Sequence, residues 1–144
     1  VAADLAISAD NARYVMAYTN AGLSPDGSST YFLPRRVGDR RARELMLTNR
    51  MLKADEAMAW GLVNEVVPAE ELMTRAKDLA TELAAGPTLA FGEVKSLLNA
   101  SFDNGLETQM ELESRAISRM SGTADGAEGI AAFLEKRGAD FKGA

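Results

Sequence analysis

The chain has 144 residues, a formal net charge of −5, 47% hydrophobic and 26% charged residues, the size of one domain or one and a half and enough to bury a core. It holds neither cysteine nor histidine, which excludes disulfides, thiolate nucleophiles, a Ser-His-Asp triad and Cys- or His-ligated metals, and leaves proton transfer to Asp, Glu, Lys, Tyr or backbone groups. The acidic balance argues against a sequence-blind nucleic-acid binder, no run reaches the ~20 apolar residues of a membrane span, and the opening "VAADLAISAD" lacks the basic region of a signal peptide, so a cytoplasmic protein off the membrane is expected.

"VAADLAIS", residues 1–8, is small and apolar apart from Asp4 and predicts a short buried strand. "ARYVMAY", 12–18, is rich in strand-compatible residues, and periodicity leaves a strand and a turn of helix both open. Residues 22–27 read as loop. There Pro25 has its φ preset, Asp26 can bond nearby backbone, and Gly27 accepts dihedrals that other residues resist. From Ser28 the pattern is helical, with Ser28 or Ser29 as the N-cap, and Pro34 is expected to kink or end the segment. After Gly38, "DRRARELMLTNR" predicts a helix capped by Asp39, with Ala42, Leu45 and Met46 on one face and Asn49 in the left-handed position that ends it. "KADEAMAWGLV" predicts a short helix closed by Gly61, and "VNEVVP", 63–68, a strand stopped by Pro68.

The texture changes at Pro68. Leu72, Ala76, Leu79 and Leu83 mark an amphipathic helix over 69–85, ending at Gly86. Pro87 opens another, with Val94, Leu97, Leu98 and Phe102 on its face and "DNG" as its stop. Leu106, Met110, Ile117 and Met120 mark a third, and Ala127, Ile130, Phe133 and Leu134 a fourth over 125–137. The apolar stripes read as core or subunit interface. "RRVGDRRAR" packs five arginines into nine residues, which reads as solvated helix surface, with an anion site as the alternative.

Taken together, "GLSPDGSSTYFLPRRVGDRRARELMLTNRMLKADEAMAWGLVNEVVPAEEL" resembles the second half of the enoyl-CoA hydratase/isomerase (crotonase) superfamily. The matching motifs are the GL-x-P turn, the LPR-x-VG helix end, RA-x-EL-x-LT, A-x-EA-x-x-WGLV and the VVP-x-x-EL boundary, and the tail "FLEKRGADF", 133–141, looks like the family's closing motif. The resemblance implies an α/β fold: residues 1–67 as the end of a β/α spiral core with the active-site turn, and 68–144 as a helical oligomerisation region. It further implies an acyl-CoA thioester as substrate, with coenzyme A part of that substrate, no separate cofactor and no metal. The assembly it implies is a homotrimer or a dimer of trimers. An enolate-like charge would be held between two backbone N–H groups while a carboxylate moves the proton.

The resemblance also places the family's first half before Val1, including one oxyanion amide, most coenzyme A contacts and the first glutamate of the hydratase pair. The second hydratase glutamate falls on Tyr18, which cannot serve as a carboxylate base near neutral pH because its unperturbed pKa is about 10. A two-glutamate hydratase is therefore disfavoured. Isomerase-type members and the aryl-CoA dehalogenases carry an aspartate in the same GL-x-x-D turn, so the resemblance makes Asp26 the catalytic residue, beside its plain reading as turn chemistry. It implies that Tyr18 and Leu23 contact the acyl group and that Phe133 and Lys136 reach the nucleotide end of coenzyme A bound to a neighbouring subunit. Phe133 and Lys136, three residues apart, are expected on one helix face. The expected activity is isomerase-type proton transfer; the alternatives are a dehalogenase or hydratase variant and a non-catalytic fragment of such an enzyme.

Overall fold

The strands are short, and each is paired through residues distant in the chain. In the computed structural model, which describes residues 2–144, β1 (Ile7–Ala9) lies parallel to β4 (Glu65–Val67), with Ser8 opposite Val66. The strand expected over 1–8 is thus three residues long, and Val1 lies outside the described residues. Asn64 supplies the pairing just before the ladder: its N–H donates to the Ala6 carbonyl and its side-chain oxygen accepts the Ala6 N–H, both at 2.8 Å. Of 12–18, only β2 (Arg13–Tyr14) is strand, antiparallel to β3 (Leu52–Lys53), a strand the sequence reading did not contain. The Tyr14 hydroxyl donates to the buried Ser8 hydroxyl at 2.8 Å and so links the two ladders.

Helix α1 (Ser29–Val37) contains Pro34 and continues through it, contrary to the expected break. Proline removes one N–H, leaving the Thr30 carbonyl without its helical donor, while Leu33 and Val37, 1% and 5% exposed, keep the inner face packed. The helix stops at Gly38, whose φ of 87° lies outside the helical region. Of the expected caps, Ser28 or Ser29 for α1 and Asp39 for the next helix, the first holds in position only and the second does not hold. Ser28 sits at the N-cap position with φ 62° and makes no side-chain cap bond, and Asp39 lies inside α2 (Asp39–Thr48), where Arg43 Nε donates to its carboxylate at 2.7 Å. Asn49 does end α2 in the left-handed region, at φ 53°. Helix α3 (Ala54–Ala59) is followed by Gly61 at φ 77°.

The core of this part is Leu33, Val37, Ala42, Leu45, Leu52, Ala57 and Val63, with Tyr14, Met16, Met46 and Trp60 packed against it. Both helices of the α1–α2 hairpin contribute, so α1, which follows the Asp26 turn, is packed through Leu33 and Val37.

The chain divides into two compact units, Val1–Ala76 and Lys77–Ala144. A 3₁₀ turn (Ala69–Glu71) leads into α4 (Leu72–Ala84), which therefore starts three residues later than expected. Arg75, in its first turn, bonds both oxygens of Glu65 at 2.9 and 3.0 Å and belongs to the first unit. The second unit holds α5 (Thr88–Ala100), α6 (Leu106–Ser121) and α7 (Ala124–Glu135). Phe102 falls beyond the end of α5 rather than on its face. Helix α7 is capped by Thr123, whose Oγ1 accepts the Gly126 N–H at 2.9 Å. It ends two residues earlier than expected because Lys136 turns left-handed at φ 54°. Among the described residues no helix is long and apolar enough to cross a membrane.

Candidate functional site

Tyr18 opens a 3₁₀ turn (Thr19–Ala21), and its carbonyl accepts the N–H groups of both Ala21 and Leu23 at 3.0 Å. Gly22, at φ 69°, closes the turn with its N–H on the Thr19 carbonyl at 3.1 Å. Two of the predicted site residues, Tyr18 and Leu23, are thereby fixed to each other through the backbone. Tyr18 is half-buried and Leu23 is exposed. The turn is also tied to a distant element. The Thr19 hydroxyl donates to the Met46 carbonyl at 2.9 Å and accepts from Asn49 Nδ2 at 2.5 Å, at the C-terminal end of α2.

Asp26 stands three residues further on, exposed, directly before two left-handed residues, Gly27 at φ 57° and Ser28 at φ 62°. Its carbonyl accepts two bonds from buried Ser29, the N–H at 3.0 Å and the hydroxyl at 2.6 Å. The carboxylate itself has no hydrogen bond or ion pair among the described residues. Backbone held from the helix side and an uncommitted carboxylate are what proton transfer needs: a fixed pivot and free oxygens. Turn chemistry and a working carboxylate are compatible here.

In the first unit an apolar cleft of about 290 Å³ is lined by Arg13, Tyr14, Val15, Met16, Leu33, Leu45 and Leu62. None of the predicted site residues lines it. The arginine-rich run is largely engaged: Arg43 pairs with Asp39, Arg35 lies 3.7 Å over the Tyr31 ring, and Arg41 stacks 4.8 Å from the centre of Trp60. Trp60 also receives Arg50, which pairs with Glu44 and Glu56. These contacts account for much of the run without an anion ligand. Among the described residues no three carboxylates gather as a metal site.

Phe133 and Lys136 belong to the second unit. They do not share a helix face, because α7 ends at Glu135 and Lys136 caps it in the left-handed conformation. The Arg137 N–H returns to the Ala132 carbonyl at 3.0 Å, a bond that closes the helix and turns the chain away. Phe133 is 82% exposed, and no carboxylate pairs with the Lys136 ammonium among the described residues. Sequence reasoning missed Thr19, and read Ser29 only as a candidate helix cap and Asn49 only as a helix end. Thr19 and Asn49 meet across 30 residues, a separation at which no local pattern signals contact.

The model of the family described as enoyl-CoA hydratase/isomerase matches residues 1–144 of the chain. The chain belongs to the enoyl-CoA hydratase/isomerase family. It is 42% identical over 141 residues to the 1,2-epoxyphenylacetyl-CoA isomerase of Escherichia coli (strain K12), covering 97% of the chain and 53% of that protein. It is 40% identical over 136 residues to the 4-chlorobenzoyl coenzyme A dehalogenase-1 of an Arthrobacter species, covering 94% of the chain and 49% of the relative. The crystal structure of an enoyl-CoA hydratase/isomerase from Cupriavidus metallidurans CH34 superposes with a TM-score of 0.91 at 38% identity, over 98% of this chain and 53% of that one. The chain spans about half the length of the curated relatives it matches. The crotonase-type α/β fold and membership among enzymes of this family follow. The relatives' names differ in reaction, and share coenzyme A esters.

Proposed function

We propose that this chain supplies the working carboxylate of an acyl-CoA enzyme of the isomerase type, with Asp26 as the group that takes a proton from one carbon of the acyl chain and returns it two atoms further on. The observation that carries the reading is the Asp26 turn: a carboxylate without a protein partner, on a backbone pinned by Ser29, in a chain with no histidine or cysteine to do the work instead. Acidity at the α-carbon comes from delocalising charge onto the thioester oxygen, which an oxyanion hole stabilises. Coenzyme A arrives as part of the substrate, and the proton shuttle asks for no separate cofactor or metal. Tyr18 and Leu23, fixed to each other by the 3₁₀ turn, line the acyl group, and Phe133 and Lys136 meet the nucleotide end of a coenzyme A ester bound to a neighbouring subunit. The order of the motifs from the GL-x-P turn to "FLEKRGADF" supports placing the chain in the second half of a protein of the relatives' length. Its helical second unit then serves a trimer or a pair of trimers.

The test is Asp26→Asn in the full-length enzyme, assayed on a panel of enoyl-CoA and aryl-CoA esters. The amide keeps the shape but accepts no proton, so turnover is expected to fall ~10²–10⁴-fold with coenzyme A ester binding retained. Near wild-type activity would return Asp26 to turn chemistry. The 40% identity to a chlorobenzoyl-CoA dehalogenase favours a second reading, in which the same carboxylate attacks an aromatic ring carbon. Halide release from an aryl-CoA, with no double-bond shift on any enoyl-CoA, would decide for it.

A further inference from the structure

Asn49 is an expensive residue for its position. At φ 53° glycine is free of strain and asparagine is not. Its side-chain Oδ1 is buried with no hydrogen-bond partner, a cost that glycine would also remove. What asparagine provides and glycine cannot is the Nδ2 donor, which lies 2.5 Å from the Thr19 hydroxyl oxygen. A hydroxyl has one proton, and this one goes to the Met46 carbonyl at 2.9 Å, so the amide is donor and Thr19 acceptor. The hydroxyl thus both donates and accepts. It fastens residues 18–23, themselves one hydrogen-bonded piece, to the C-terminal end of α2. Among the described residues, the other anchor on the way to the carboxylate is the pair of Ser29 bonds to the Asp26 carbonyl at the start of α1.

We propose that Thr19 and Asn49 are positioning residues, a polar clasp that holds the Tyr18–Leu23 segment on α2 and so sets where the Asp26 carboxylate stands relative to the acyl chain. This rests on the reading of Asp26 as the proton carrier. The clasp acts on the reacting geometry and leaves the coenzyme A contacts of the second unit alone, so its loss is read in kcat rather than KM.

The test compares Thr19→Val, Thr19→Ser, Asn49→Gly, the Thr19→Val/Asn49→Gly double variant and Asp26→Asn in the full-length enzyme. Two readouts are used: steady-state kinetics on the best ester of the panel, and hydrogen exchange of peptides covering 18–26. Asn49→Gly keeps the left-handed helix end and removes the donor, together with the unpaired Oδ1. Thr19→Val and Asn49→Gly are each expected to lower kcat about ten-fold with KM within about two-fold, the scale of a sub-ångström misplacement. Thr19→Ser should stay close to wild type, the double variant should be no worse than the worse single one, and exchange over 18–26 should quicken in each clasp variant. The clasp is overturned if Thr19→Val and Asn49→Gly keep full kcat while Asp26→Asn is dead. It is equally overturned if serine fails to rescue, or if the double variant loses the product of the two single effects. An active Asp26→Asn would sink the reading of Asp26 instead; quickened exchange over 18–26 would then still support the clasp as the holder of that segment, and unchanged exchange would end it too.

Discussion

Ser28 and Lys136 show how much single residues can conceal. Both are left-handed, at φ 62° and 54°, and neither is glycine. The sequence offered Ser28 or Ser29 as the helix cap by residue type; Ser28 takes the position without a side-chain cap bond, and the Ser29 hydroxyl donates back to the Asp26 carbonyl instead of accepting a helix N–H. Asp26 itself was legible, because a Pro-Asp-Gly turn is local chemistry. Lys136 was legible as a residue but not as geometry: the helix it was expected to share with Phe133 ends one residue before it. An ammonium just past a helix end, with no carboxylate pairing it among the described residues, can meet a phosphate as a point charge. Lys136→Ala carries the same left-handed strain as lysine and so isolates the charge. In the full-length enzyme it should raise KM for the coenzyme A ester several-fold at low salt, less at high salt where screening is stronger, with kcat little changed. An unchanged KM at low ionic strength would leave Lys136 an ordinary surface lysine.

At the scale of elements, helices were readable and short strands were not. Leu45 and Ala42 follow the 3.6 period and are buried as expected. By contrast β2 and β3 are two residues each, too short to show a period of two, and β3 exists only because Tyr14 and Leu52 pair across 38 residues of chain. Pro34 misled for a related reason: proline is a local breaker, whereas the burial of Leu33 and Val37 that holds α1 together is tertiary. The end of α7 carries a further device. Arg137 grips Glu128 with Nη1 and Nη2 at 2.5 and 2.9 Å, and the Asp140 N–H adds a bond at 2.9 Å. The Arg137 bond first, then the Asp140 N–H, pull the Glu128 carboxyl from its ordinary 4.5 down to about 2. A carboxyl depressed in the folded state stabilises fully above its unfolded pKa and loses that contribution as pH falls through the folded one. The tail from 137 to 140 should therefore loosen between about pH 4.5 and 2, seen as faster amide exchange there. Glu128→Gln, which cannot ionise, should show the loosened tail at neutral pH and no further change on acidification. A tail whose exchange ignores both the acid and the variant would show that the Glu128–Arg137 pair holds nothing.

The whole molecule poses a problem of uncovered surface. In the second unit the described hydrophobic residues classed as buried are only Ala116 and Ala132, while Leu106 and Ile117 on α6 are 71% and 72% exposed and Leu134 on α7 is 74% exposed. The amphipathic stripes were legible in the sequence; what they face was not, because a period reveals which side of a helix is apolar and not the identity of its cover. Large exposed apolar faces mark interaction sites more often than accidents, and each such side chain brought out of water contributes roughly 1.5–3 kcal/mol when fully buried. Leu106, Met110 and Ile117 lie at spacings of four and seven, one stripe along α6. Under the proposed trimer, self-association through these helices would cover it with matching surface from a second and third copy. The full-length protein is accordingly expected to scatter light as a trimer or hexamer at micromolar concentration. Ile117→Glu places a charge in the middle of the α6 stripe, where desolvating it against apolar neighbours is unfavourable, and should shift the mass toward the protomer without altering the Asp26 turn of the other unit. A monodisperse monomer in the unmutated protein, or an Ile117→Glu variant that keeps the full assembly mass, would count decisively against this region as the seat of oligomerisation.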